Sequence, residues 1–174
     1  YFHLKSATWS PNKPHPLTEW SAKALEEMPE YYIMRESDTF PESIARNMEG
    51  EDLHASEPWL SREALGVYVG EWQRTGFQGA LNWYRAQTAS TPQSAKDLFL
   101  FAGRKIEVPV GFISGKQDWG NFQQPGALES YEDDACVKKG CFRGSTLIDK
   151  AGHWVQQEQP EEVIDAIKAF LKTL

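Results

Sequence analysis

Asp118 and His153 are the residues of this 174-residue chain whose surroundings best suit proton transfer. The stretch Leu147-Ile148-Asp149-Lys150-Ala151-Gly152-His153-Trp154 reads as a short apolar strand that runs into a Gly-His turn, with a helix opened by Pro160 beyond it. A histidine on a tight turn past a strand end is presented rather than packed away. Upstream, Val108-Pro109-Val110-Gly111-Phe112-Ile113-Ser114-Gly115-Lys116-Gln117-Asp118 has the same form: an apolar strand, a glycine turn, and an aspartate just past the end. Two consecutive strands would therefore deliver a carboxylate and then an imidazole to one edge of a sheet. A carboxylate placed there fixes the tautomer of the imidazole and lets it act as a general base.

The elements that must position these groups fall into two stretches of different character. Residues 1–20 are rich in proline and aromatics (Trp9, Pro11, Pro14, Pro16, Trp20) and read as an irregular connection. Helical composition follows over 17–28 and stops at Pro29. A second helix starts around Pro41, and a third follows Ser61 as N-cap and ends near Thr75-Gly76. A fourth helix spans 77–87, and no convincing strand is found over 1–95. Beyond Pro92 the pattern becomes a helix over about 94–103, a strand at 108–114, a helix around 125–135, a strand near 144–149 and the helix from Pro160. In that last helix Val163, Ile164, Ile167, Phe170, Leu171 and Leu174 recur at helical spacing as a core-facing stripe. Strand–helix–strand–helix is the rhythm of a parallel sheet covered by helices. Two strands do not make a stable open sheet, so further strands must complete it.

Composition narrows the function. With 40% hydrophobic and 25% charged residues the chain is globular, and seven tryptophans favour aromatic-lined packing or a pocket. A net charge of −7 and a pI near 5.1 argue against a nucleic-acid or anionic-membrane surface. No apolar run reaches the roughly 18 residues of a membrane span, and no signal-peptide pattern opens the chain, so a cytoplasmic protein is expected. Cys136 and Cys141 are too few for a disulfide framework or a zinc site and are expected to be reduced thiols, with one local bridge across 137–140 as the alternative. No metal ligation, phosphate cradle or cofactor is expected. His3, His15 and His54 lack the context of His153 and read as surface or connection residues, and the acidic run Glu129 to Asp134 reads as a solvated helix face. Asp133, Asp134 and Asp149 are the alternatives to Asp118 as the acid.

Two further segments join the Asp118 and Gly152-His153-Trp154 turns: Glu30-Tyr31-Tyr32-Ile33-Met34-Arg35 and Gly79-Ala80-Leu81-Asn82-Trp83-Tyr84-Arg85. On these four motifs the chain resembles the C-terminal half of a soluble α/β-hydrolase-fold epoxide hydrolase, over essentially all 174 residues. The resemblance implies an α/β fold, with a helical lid and its preceding connection over 1–95. It assigns 96–174 to the C-terminal part of the hydrolase core, with the N-terminal half absent from this chain. It also implies that Tyr32 and Tyr84 are the lid tyrosines that hydrogen-bond the leaving oxygen, His153 the base and Asp118 the acid. Trp119 and Trp154, next to acid and base, are candidate pocket residues.

The implied chemistry explains these residue types. An aspartate nucleophile opens an apolar epoxide and forms an alkyl-enzyme ester. A phenol with a pKa near 10 stays protonated at neutral pH and donates to the departing oxygen, and His153 then activates water to hydrolyse the ester. The sequence departs from the family in two places. Where many relatives carry Gln-Glu-Pro-Gly after the first lid tyrosine, Arg35-Glu36-Ser37-Asp38 stands here, so Tyr31 is the alternative to Tyr32. No Gly-x-Ser-x-Gly or His-Asp-Trp-Gly occurs, so the nucleophile is expected from the complementary N-terminal half, in the same or a separate chain. The competing readings are a dehalogenase of the same fold and a catalytically inactive hydrolase-fold protein that binds a ligand.

Overall fold

The computed structural model describes residues 2–8, 13–88 and 92–174. Helix α1 (Phe2–Thr8) is followed by a single turn, α2 (Ala22–Leu25), and by α3 (Phe40–Asn47), α4 (Arg62–Thr75), α5 (Gln78–Thr88) and α6 (Pro92–Phe99). Strand β1 (Val110–Gly115), strand β2 (Phe142–Ile148), the short α7 (Val155–Glu158) and α8 (Pro160–Leu171) complete the order. No strand precedes β1 among the described residues.

Local chemistry sets the helix boundaries. In α3 the backbone N–H of Thr39 donates to the Glu42 carboxylate at 2.8 Å, with Pro41 in the first turn where a missing donor costs nothing. Ser61 caps α4 by accepting from the Ala64 N–H at 3.2 Å, and Gly76 ends it at φ +67°. Ser21 caps α2 in the same way.

Strands β1 and β2 pair in parallel, with Phe112 opposite Ser145 and Gly115 opposite Ile148. Between Val110 and Phe112 the partner strand takes one extra residue, and Gly144, at φ +104°, absorbs it as a bulge. Helix α8 lies on this pair. The Phe170 ring sits against Gly111, where an added Cβ would come within 3.0 Å of it. Val163 and Ile113 pack on the buried cluster of Ile148, Ala151 and Val155. A second buried cluster joins Leu17, Ala24 and Met28 to Trp119, flanked by Leu25, Tyr32 and Ile33. The loop after β1 thereby carries the tyrosine turn on its back.

Four expectations change. The segment 1–20 contains α1, whose Leu4, Lys5 and Ser6 are buried, with Lys5 paired to Glu51; Trp9 and Pro11 lie outside the described residues. The helix expected over 17–28 shrinks to α2, because Ser21 starts it late. The helix expected around 125–135 is a series of turns with one 3-10 turn at Glu129–Tyr131. Gly126 and Asp134 both take positive φ there, which a helix does not allow. The stripe of α8 is only partly covered: Ile164, Ile167, Leu171 and Leu174 stay exposed, since a pair of strands is narrower than the stripe.

Candidate active site

Both turns past the strand ends are locked together by glycines. An added Cβ on Gly115 would lie 2.1 Å from the Gly152 carbonyl oxygen and 2.3 Å from that of Ala151. One on Gly152 would lie 2.0 Å from the Ser6 carbonyl. Only residues without Cβ permit this approach. The crossing is closed by backbone hydrogen bonds from Lys116 N–H to Ile148 at 2.8 Å and from Gln117 N–H to Ala151 at 2.9 Å. Asn121 adds a buried bond from its side-chain amide to the Gly115 carbonyl.

This crossing sets Asp118 against His153. The imidazole Nδ1 stands 3.2 Å from Asp118 Oδ2. Asp118 Oδ1 accepts from the Gly120 N–H at 2.9 Å, capping the 3-10 turn Trp119–Asn121, and also accepts the Tyr32 hydroxyl. Burial alone would raise the Asp118 pKa, but the hydrogen bonds from His153, Tyr32 and Gly120 outweigh it and hold the carboxyl below its ordinary value. The bond to Asp118 raises His153 above 6.5 against an opposing desolvation, and the Glu158 charge adds to the rise. Burial, then the Asp118 charge, push the Tyr32 phenol far above its ordinary value, so it remains a donor. With Nδ1 turned to the carboxylate, Nε2 is the basic nitrogen of the neutral ring.

A cleft of about 520 Å³ opens over the imidazole, lined by Tyr31, Tyr32, Tyr84, Gly120, Gln123, His153 and Trp154. Three of the four sequence-predicted catalytic residues, Tyr32, Tyr84 and His153, therefore line one cleft, with Asp118 bonded to His153. Trp154 lines the same cleft. Trp119 does not: it is fully buried in the cluster with Leu17, Ala24 and Met28. Tyr31 is buried at 8% exposure and lies against the Tyr32 ring at 4.8 Å between centroids, while the Tyr32 hydroxyl reaches Asp118. The other aspartates face elsewhere: Asp134 pairs with Lys105 at 2.7 Å, Asp149 with Lys116 at 2.9 Å, and Asp133 accepts from the Ala135 N–H.

Sequence reasoning passed over Ser6 and Glu158. The His153 N–H donates to Ser6 Oγ at 2.6 Å, and Glu158 accepts from the Gly152 and Trp154 N–H groups at 2.8 and 3.0 Å. The only local signal was a carboxylate four residues after Trp154 in the turn that begins a helix. His3 bonds Ser56, His15 bonds Glu27 and His54 bonds Glu57. No cluster of three metal-ligating side chains occurs among the described residues, and none of their helices is long and apolar enough to cross a membrane.

No family model matches the chain. Among individual proteins it is 44% identical over 117 residues to epoxide hydrolase A of Mycobacterium tuberculosis, covering 67% of this chain and 33% of that protein. It is 33% identical over 114 residues to epoxide hydrolase 3 of Siraitia grosvenorii, covering 65% of this chain and 34% of that protein. The solved structure of potato (Solanum tuberosum) epoxide hydrolase I superposes with a TM-score of 0.58 at 26% identity, over 93% of this chain and 43% of that one. The chain thus spans about a third of the length of the curated relatives it matches. In sequence and fold it resembles the C-terminal part of epoxide hydrolases of the α/β-hydrolase fold.

Proposed function

We propose that this chain supplies the lid tyrosines and the acid–base pair of an epoxide hydrolase that converts an apolar epoxide and water into a vicinal diol. The observation that carries the reading is the shared cleft: Tyr32, Tyr84 and His153 face one space, with Asp118 bound to the imidazole behind it. In this reading residues 1–95 act as the lid and 96–174 as part of the core. The nucleophilic aspartate comes from a segment outside this sequence, the complementary half of the hydrolase.

Each group then has one task. The outside carboxylate attacks an epoxide carbon, the C–O bond breaks, and an ester bond forms. Tyr84 and Tyr32 donate to the oxygen as it takes the electron pair, and one of them yields the proton. For this, the Tyr32 hydroxyl exchanges its Asp118 acceptor for the epoxide oxygen. His153 Nε2 next takes a proton from water, and the hydroxide attacks the ester carbonyl. As the ester collapses, the new acid passes its proton to the departing diol oxygen and becomes carboxylate again. The imidazolium, stabilised by Asp118, returns its proton to the tyrosinate. Trp154 gives the cleft an apolar wall suited to a hydrophobic epoxide. A haloalkane fits less well, because a halide leaves as an anion and gives two phenol donors no proton to supply.

The test joins this chain to the nucleophile-bearing segment and follows styrene oxide and a chloroalkane side by side. Diol from the epoxide, with a trapped alkyl-enzyme mass in His153→Ala, is the expected result. Halide release without diol would move the reading to a dehalogenase, and binding without turnover to a ligand-binding protein.

A further inference from the structure

Three consecutive backbone N–H groups of the histidine turn are held by two side chains that also hold each other. Glu158 Oε2 accepts from Gly152, and Glu158 Oε1 accepts from Trp154. Ser6 Oγ accepts from His153 and donates its own proton to Glu158 Oε1 at 2.7 Å. Ser6 is 1% exposed, and Gly152 is buried beneath its carbonyl, so the hydroxyl has no room to turn elsewhere. These N–H groups belong to a turn that neither β2 nor α7 can satisfy, and a turn left unsatisfied could settle in several backbone conformations.

We propose that Glu158, acting through Ser6, is a positioning residue for His153: the carboxylate fixes the backbone of residues 152–154 and so aims the imidazole at Asp118 on one side and the cleft on the other. The role rests on the functional reading above only for its effect on turnover. Its geometric content is independent of it. A carboxylate suits this position because it offers two acceptor oxygens to three donors; an amide would turn its NH2 toward one of the N–H groups. The negative charge also lies close enough to favour the protonated imidazole.

The test titrates His153 by NMR in the chain joined to its complementary segment and in Glu158→Ala, Glu158→Gln and Ser6→Ala, with circular dichroism to establish folding. Ser6→Ala changes no charge, so a fall of the His153 midpoint there reports a displaced ring and not a lost field. The midpoint is expected to fall in all three. In the complete hydrolase, rapid-quench mass spectrometry should show ester formation at the parental rate and ester hydrolysis slowed about 10- to 100-fold. If Glu158→Ala does not fold, Glu158→Gln and Ser6→Ala decide. Folded variants with an unchanged midpoint would overturn the proposal. If the unsubstituted protein makes no diol, the functional reading falls while the titration still judges the positioning.

Discussion

The Tyr32 hydroxyl and the His153 ring bind different oxygens of one carboxylate, that of Asp118. The tyrosine comes from the turn after α2 and the histidine from the turn after β2, so one buried charge ties the two segments together. Against the upward push of burial, the bonds from His153 and Tyr32 also help hold the Asp118 pKa below its ordinary value. Tyr32 and His153, the proposed leaving-oxygen donor and the proposed base, are therefore linked through a single carboxylate.

Replacing either tyrosine by phenylalanine should slow ester formation by about 10²–10³-fold, the effect of removing one donor from a developing oxyanion. The two variants should differ in a second readout. Tyr32→Phe takes a hydrogen bond from Asp118 and should shift the His153 titration, whereas Tyr84→Phe leaves that bond intact and should shift it less. Stopped-flow kinetics with NMR titration separates them, and equal His153 midpoints in the two variants would contradict the geometry.

Asp118→Asn keeps the shape but removes the charge that raises His153. Its pKa should drop, and ester hydrolysis should slow by up to about 10⁴-fold, by analogy with the same change in a serine protease triad. Accumulated alkyl-enzyme in the mass spectrum is the measurement. Hydrolysis at an undiminished rate would move the acid role to another carboxylate.

The same pair makes stability depend on pH, in opposite senses. His153 is raised on folding, so its contribution is complete below about 6.5, its ordinary value, and fades as pH climbs through the higher folded value. Asp118 is lowered, so its contribution is present above about 3.8 and fades as pH falls through the lower folded value. The Tm should be highest between these limits. Turnover, which needs neutral imidazole, should rise over the range where His153 loses its proton, and a pH-independent Tm across that range would speak against the contact.

Gly115→Ala should be among the most damaging single substitutions. Its methyl group would fall on two carbonyl oxygens of the neighbouring turn, at 2.1 and 2.3 Å, and backbone cannot step aside as a side chain can. A loss of about 3 kcal/mol or more is expected in urea denaturation. Gly111→Ala meets only the Phe170 ring at 3.0 Å and should cost less.

The meeting of Asp118 and His153 could be read from sequence because each follows an apolar run and a glycine, a pattern confined to neighbouring residues. The caps of α3 and α4 were legible for the same reason: Pro41, Ser61 and Gly76 act within one turn of themselves. What the glycines do was not legible, since the atoms that forbid a Cβ on Gly115 belong to residues 151 and 152. Its place beside Asp118 makes Trp119 a candidate pocket residue, yet its ring is claimed by Leu17, Ala24 and Met28 from the far end of the chain. The helix expected over 125–135 had the composition but not the backbone: Asp134 at φ +65° aims its carboxylate at Lys105 and the Lys139 N–H instead. Helix α1 stayed hidden because the prolines downstream of it set the tone of the whole segment.

The bond between Ser6 and His153 joins residues 147 positions apart, and that between Ser6 and Glu158 spans 152. Asp118 and His153 are separated by only 35. Closing a long loop costs more entropy than closing a short one. On loop entropy alone the Asp118–His153 contact closes more cheaply than either bond of Ser6, so the turn around His153 is held by the costliest closures in its neighbourhood.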